Sequence, residues 1–247
     1  MVRFNRRILI IGCGGVSQCS LQLLLKLVDV LPQSVTVIDL SDQSSKIHDA
    51  IIQGVQFRQH EITRENYADI LKLYLSNGDI LIDLACNIKT VALVDWCYYH
   101  GVRFVNTTVE IWEPFEKVSD PKKLTLYHRQ IELTQLQETW KNKKGPTAIV
   151  DHGANPGLVS HFVKQGLIDI AQRLLADWDD DDSLERKNLL QTLLNNRDYA
   201  NLAYHLGVKT IHIAERDSQI TDQSKEIDEF VNTWSITGGL FTFYATE

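Results

Sequence analysis

A doubly wound, parallel α/β sheet is the fold class this sequence predicts. Nearly continuous Val/Ile/Leu runs alternate with stretches of helical spacing over residues 1–150. Most of the runs lack the polar alternation of a sheet with one wet face, which suits strands covered on both faces, as in parallel sheets. The connections are short, which suits strand–helix crossovers of a single hand.

The elements follow in order. Residues 7–11 read as the first strand. The helix after it covers 16–31, with Leu21, Leu24, Leu25 and Val28 on one stripe and Pro32 closing it. Residues 35–40 form the second strand and 44–54 the second helix. The third strand is 55–59, and a helix over 64–76 is capped by Thr63 and stopped by Asn77-Gly78. The fourth strand, 79–85, leads to a helix over 89–100 that ends at Gly101. After a fifth strand at 102–106, a long helix starts at Asp120-Pro121 and runs to about residue 143. The sixth strand is 147–151.

Beyond Asp151 the texture changes. Residues 158–175 read as a helix, and Asp177-Trp-Asp-Asp-Asp-Asp182 follows. A metal site needs convergent oxygens rather than charge alone. That run therefore reads as a solvated loop, with Asp182 capping the next helix and Glu185 completing a capping box. No metal is expected. Strand-like runs at 208–215 and 230–236 look like the opening of a second, α+β domain. The expected organisation is a nucleotide-type domain over 1–157 and the start of a second domain over 158–247.

Composition narrows the function. The 247 residues are 44% hydrophobic and 23% charged, enough for a sizeable core. Twenty-five Lys and Arg against 32 Asp and Glu leave a net charge of −7, which disfavours nucleic acid and favours a cationic partner. No apolar run approaches the roughly 20 residues of a membrane helix. The start is basic, but only residues 8–11 are apolar before Gly12, too few for a signal core. A cytoplasmic protein is expected. Cys13, Cys19, Cys86 and Cys97 show no C-x-x-C pair and no histidines at zinc spacing, so each is expected in apolar surroundings as a small hydrophobe.

The strongest motif is Ile8-Leu-Ile-Ile-Gly12-Cys13-Gly14-Gly15-Val16-Ser17, a strand, a glycine turn and a helix start. Gly12 permits the tight turn, and Gly14 lets the backbone approach a pyrophosphate. The N–H groups of Gly15, Val16 and Ser17 then face that phosphate with the helix dipole behind them. Ser17 replaces the third glycine of the fingerprint. Asp39 ends the second strand 27 positions after Gly12, where a carboxylate accepts hydrogen bonds from the adenosine ribose and repels a 2′-phosphate. Asp42 adds to that repulsion. A Rossmann-like domain with NAD, rather than NADP, is the expectation.

Ligands of such sheets bind beyond the carboxyl ends of the strands. Those ends carry Gly12–Ser17, Asp39, Asn87, Thr107-Thr-Val-Glu110 and His152-Gly-Ala-Asn155-Pro-Gly157. Asn87 and Thr107 would lie along the cofactor, with Glu110 and Asn155 near the nicotinamide. Taken singly, Asn155 also reads as a turn residue before Pro156, and Glu110 as a solvated loop acid. Taken jointly at one sheet edge, they read as a site. Glu215 ends an apolar stripe in the late strands. Trp234 shares a face with Phe230 and Ile236; it reads either as core or as a ring face for an alkylammonium. No Tyr has Lys four positions later, and neither G-x-S-x-G, a P-loop nor H-E-x-x-H occurs.

The stretches Gly12-Cys-Gly-Gly-Val-Ser17, Thr107-Thr-Val-Glu110-Ile-Trp112, Gly153-Ala-Asn155-Pro-Gly157, His212-Ile-Ala-Glu215-Arg-Asp217 and Val231-Asn-Thr-Trp234-Ser235 together resemble bacterial homospermidine synthase, of the saccharopine dehydrogenase-like group. The resemblance runs to about Thr237. Members of that family continue well past residue 247, so the chain is expected to be truncated. The resemblance implies a transferase that joins two putrescines into homospermidine with release of ammonia, using NAD as a recycled hydride carrier. It implies that Glu110 and Glu215 orient the amines, that Asn155 hydrogen-bonds near substrate and nicotinamide, and that Trp234 stabilises cationic intermediates through its ring face. Putrescine, with spermidine as a further substrate, and a homodimer are implied as well. His152 takes no role. Two alternatives stay open: a saccharopine- or carboxyspermidine-type NAD(P)-dependent dehydrogenase, whose substrates need an arginine clamp, and a non-catalytic NAD-binding module.

Overall fold

Strand β2 (Ile8–Ile11) is four aliphatic residues, each 2% exposed or less, and its alternation splits them between two cores. Leu9 and Ile11 pack with Ile70, Leu71, Leu93 and Cys97 on one face. Ile8 and Ile10 pack with Leu21, Val35, Val37 and Ala50 on the other. A strand buried on both sides this way must sit inside the sheet. The computed structural model describes residues 1–112, 125–141, 144–178, 184–214, 216 and 224–229.

The sheet runs β5 (Gln56–Gln59), β4 (Val35–Asp39), β2, β6 (Ile80–Asp83), β7 (Arg103–Asn106) and β8 (Ala148–Ile149), with every pairing parallel. The fold is Rossmann-like. From β2 the chain winds outward on one side through β4 and β5, then returns to β6 and winds outward on the other. The connections after β2 and β6 therefore diverge, opening a crevice at the carboxyl ends of the strands. Register levels those ends, because Ile11 lies between Ile38 and Asp83, and Asp83 lies beside Asn106.

Helix α1 (Gly15–Leu27) stops four residues before the expected end. Val28 and Asp29 leave it to form β3 (Val28–Asp29), a two-stranded parallel pair with β1 (Val2–Arg3) that local periodicity does not register. Helix α2 (His48–Gln53) follows a 3₁₀ turn at Ser44–Ile47 and ends at Gly54, whose φ of +116° only glycine tolerates without strain. Helix α3 (Tyr67–Tyr74) begins three residues late, because the N–H groups of Asn66 and Tyr67 close a turn onto the Thr63 carbonyl. Helix α4 (Thr90–His100) ends at Gly101 as the pattern indicates.

Helix α5 (Leu126–Thr139) is capped by Thr125, which accepts from the His128 N–H at 3.3 Å. The expected start at Asp120-Pro121 lies outside the described residues. Its end comes early because Trp140 turns away to stack on Tyr98 at 4.1 Å and to donate to Asp95 at 3.0 Å.

The chain divides after His152 into Met1–His152, to which residues 225–229 belong, and Gly153–Ser224. In the latter, α6 (Leu158–Asp177), α7 (Leu184–Asn196) and α8 (Tyr199–His205) enclose Leu167, Ala171, Leu190, Leu193 and Leu202. Residues 208–214, expected as a strand, form none. Ile211 and Ile213 are 51% and 49% exposed, and a strand without a partner leaves its backbone groups unpaired. The expected strand at 230–236 and the cap Asp182 lie outside the described residues. Cys13 and Cys97 are buried as expected, but Cys19 and Cys86 are exposed, one on the outer side of α1 and the other in the loop after β6. Among the described residues, no helix is long and apolar enough to cross a membrane.

Candidate functional site

The turn between β2 and α1 is shaped by Gly12, at φ +91°. A Cβ there would stand 2.7 Å from the Leu84 carbonyl oxygen, just past the end of β6. Gly14 and Gly15 face open space, with nothing within 4 Å of the Cβ each lacks. Helix α1 starts at this opening with no side-chain cap and no acid in its first turn, so its leading N–H groups and dipole remain available to an anion. Val16 is exposed at that start and Ser17 is buried, with its Oγ lacking a hydrogen-bond partner among the described residues. We predict that Gly12→Ala costs more than about 1 kcal/mol in a urea unfolding curve, because strain and backbone collision add. Gly14→Ala is expected to cost far less.

Asp39 anchors this turn. Its Oδ2 accepts from the Cys13 N–H at 2.7 Å, and its Oδ1 accepts from the Ser41 N–H and hydroxyl, both at 2.9 Å. The Gln18 amide pins the same turn through the Cys13 carbonyl at 2.9 Å. An ionised carboxylate has roughly four acceptor positions, so Asp39 retains capacity for a ligand hydroxyl.

The other side of the crevice is acidic and largely dehydrated. Asn87, at φ +63°, donates its N–H to the Glu110 carboxylate, as does the Thr108 side chain. Glu110 is fixed through its backbone as well. Its N–H donates to Thr90 Oγ1 at 2.9 Å, and its carbonyl accepts from the Thr90 N–H at 3.0 Å. Asn106 ties the same corner together, donating to Thr90 Oγ1 and the Thr108 carbonyl while accepting from the Asp151 N–H at 3.0 Å. Thr107 is half-buried just beyond β7.

Burial raises the Glu110 carboxyl above the usual range, with Asp151 adding to it; Arg129, the Asn87 N–H and Thr108 oppose. Burial likewise raises Asp151, and it lowers Arg129, which Glu110 and Asp151 partly restore. Asp83, at the end of β6, is pushed up to about 8 by burial and then by Glu110, against the Ala85 N–H. Three carboxyls thus share this corner with the Arg129 guanidinium.

Residues 8–149 match the saccharopine dehydrogenase NADP binding domain model. The chain belongs to that family. It is 33% identical over 239 residues to the homospermidine synthase of Blastochloris viridis, covering 96% of this chain and 47% of that protein. It is 31% identical over 234 residues to that of Mesorhizobium japonicum, covering 94% and 46%. The crystal structure of the homospermidine synthase from Legionella pneumophila in complex with NAD matches with a TM-score of 0.71 at 32% identity, over 97% of this chain and 46% of that one. The chain therefore spans about half the length of the relatives it matches.

Within this saccharopine dehydrogenase-type domain, the structure brings Asn87 and Glu110 into contact and gathers Gly12, Gly14, Gly15, Val16, Ser17 and Asp39 around one turn. Asn155 lies in the Gly153–Ser224 unit, exposed in a turn closed by the Gly153 N–H on the Pro156 carbonyl at 2.9 Å, with a cis Asn155–Pro156 bond. Glu215 and Trp234 lie outside the described residues. Asp83, Arg129 and Asp151 escaped the sequence reading. Only Asp83 left a local trace, a charge inside the run Ile80-Leu-Ile-Asp83-Leu84.

Proposed function

We propose that this protein acts as an NAD-dependent homospermidine synthase, joining two putrescines with loss of ammonia. The carrying observation is that one short stretch of chain touches both halves of the crevice. Leu84 and Ala85 back the glycine turn, and Asn87 donates to Glu110. A dinucleotide cradle thus adjoins a cluster of buried carboxyls with the half-buried Glu110 at its edge, a group suited to meeting a linear cation. Identity of 31–33% to two homospermidine synthases over nearly the whole chain supports the reading.

The β2–α1 turn fits a pyrophosphate, since Gly14 and Gly15 are open and the helix start is uncapped. Gly12, Gly14, Gly15, Val16, Ser17, Asp39, Asn87 and Thr107 would hold the dinucleotide. NAD, when bound, accepts a hydride from one diamine carbon and later returns it. The chain's own residues handle charge and protons. Glu110, raised by burial, takes a proton from the reacting ammonium more readily than a solvated carboxylate does, which frees the lone pair that forms the C=N bond as hydride departs. The amine of a second putrescine then adds to that carbon and ammonia leaves. Asn155 orients the amine by hydrogen bonding, Glu215 anchors a second ammonium, and Trp234 offers its ring face to the cation. Acceptance of spermidine, assembly as a homodimer and a cytoplasmic site of action belong to the same proposal.

Asp39 decides between NAD and its 2′-phosphorylated form by charge. Asp39→Asn keeps an acceptor for the Cys13 N–H and removes the repulsion. Titration calorimetry is expected to show NAD binding weakened about tenfold, roughly 1.4 kcal/mol, and NADP binding strengthened. Unchanged affinities for both would remove Asp39 from the site. The whole reading is tested by incubating the protein with putrescine and catalytic NAD, then identifying products by mass spectrometry. Homospermidine and ammonia without net NADH are expected. Accumulating NADH would indicate a dehydrogenase instead, and NAD binding without any product an NAD-binding module.

A further inference from the structure

We propose that Arg129 and Asp151 are positioning residues for Glu110, gripping the adjoining Val109 by its two backbone polar groups. Arg129 Nη1 donates to the Val109 carbonyl at 2.7 Å, and Asp151 Oδ1 accepts from the Val109 N–H at 3.0 Å. Thr90 holds both backbone groups of Glu110. All four polar groups of the Val109-Glu110 backbone are therefore engaged, two of them by charged side chains. The inference rests on the reading of Glu110 as the amine-facing carboxylate.

A clamp meant only for stability would use neutral partners. Arg129 and Asp151 are 5% and 7% exposed, and burying ions costs more than burying neutral donors and acceptors. Arg129 Nε is buried without a hydrogen-bond partner among the described residues, so Val109 does not satisfy the guanidinium. Asp151 Oδ2 is occupied by the Gln130 amide at 2.6 Å, which fixes its orientation. Charge explains the choice. Arg129 faces Glu110 from α5, with Glu132 behind it and Lys89 paired to Glu132 at 3.0 Å. Asp151 faces Glu110 from beyond β8, Asp83 from the end of β6 and Cys86 from the following loop. Arg129 is the cation that the described residues bring to bear on this carboxylate, and it favours the ionised form. Asp151 opposes it. The pair fixes the carboxylate in place and sets its charge between two opposing fields.

The test is a carbon NMR titration of the protein labelled at glutamate side-chain carboxyls, with the Glu110 signal identified through Glu110→Gln. Arg129→Met is expected to raise the Glu110 midpoint by about one pH unit or more, and Arg129→Lys to restore most of it. Asp151→Asn keeps an acceptor for the Val109 N–H and is expected to lower the midpoint. Opposed shifts show that the two side chains act on the charge of Glu110 as well as on the Val109 backbone. Shifts of the same sign, or none, overturn the proposal. If Arg129→Met does not fold, Asp151→Asn still decides, since a Glu110 midpoint that it leaves unmoved or raises overturns the proposal. If the opposed shifts occur while Glu110→Gln leaves putrescine turnover intact, the clamp stands and the amine-facing reading falls.

Discussion

Replacing Asp83 by asparagine is expected to stabilise the protein increasingly as pH rises. Asp83 is 2% exposed, and burial moves its carboxyl from 3.8 to about 8. In the unfolded chain the group titrates near the ordinary value. Below that value both states hold the proton, and Asp83 makes no pH-dependent difference. Between the two values the folded form keeps a proton that the unfolded form has lost. Stability therefore falls as pH rises through this window, by up to about 1.4 kcal/mol per pH unit. The ceiling over the whole window is on the order of 5 kcal/mol, and water entry or relaxation reduces it. Asparagine has the same shape and can still accept from the Ala85 N–H, which lies 3.3 Å from Asp83 Oδ1. Denaturant unfolding should separate the two proteins little at about pH 4 and by a few kcal/mol at about pH 9. A pH-independent difference would mean that Asp83 is ionised in the folded protein.

Glu110→Gln is expected to give the largest loss of putrescine turnover, about 100-fold or more, with NAD affinity unchanged within about twofold. The reason lies in the division of labour across the crevice. The glycine turn is held by Asp39 and Gln18, a glutamine can still accept from the Asn87 N–H, and the backbone bonds of Glu110 to Thr90 survive the substitution. What disappears is a carboxylate that burial has made a stronger base. The parent activity should therefore rise with pH through a midpoint above the usual carboxylate range, and that acid limb should vanish in the variant. Steady-state kinetics against pH, beside an NAD titration, reads both. Full turnover in the variant would take Glu110 out of the reaction.

Much of this architecture is legible along the chain. The six strands of the main sheet fall within the six expected runs; the inner ones are apolar at successive positions because both faces are covered, while the edge strand β5, Gln56-Phe-Arg-Gln59, is largely polar and exposed. Gly54 and Gly101 mark helix ends because positive φ is a local demand. The glycine turn and Asp39 are readable for the same reason, as turn chemistry and a strand end. Misreadings come where a distant partner overrides the local pattern. Val28 and Asp29 continue the helical stripe but pair with Val2 and Arg3. Trp140 suits the end of α5 but finds Tyr98 and Asp95, 42 and 45 positions earlier. Ile211 and Ile213 alternate like a strand yet have no described neighbour to pair with.

The sequence by itself determined where the six strands lie along the chain, the glycine turn and therefore which edge of the sheet carries chemistry, because patterning and turn preference act over a few residues. Tertiary structure alone decided the charge state of that edge. Asp83, Glu110, Arg129 and Asp151 come together from separate elements, Val109 meeting Asp151 across 42 positions. The fields they exert depend on spatial separation and exclusion of water, and neither is encoded in any single stretch of chain.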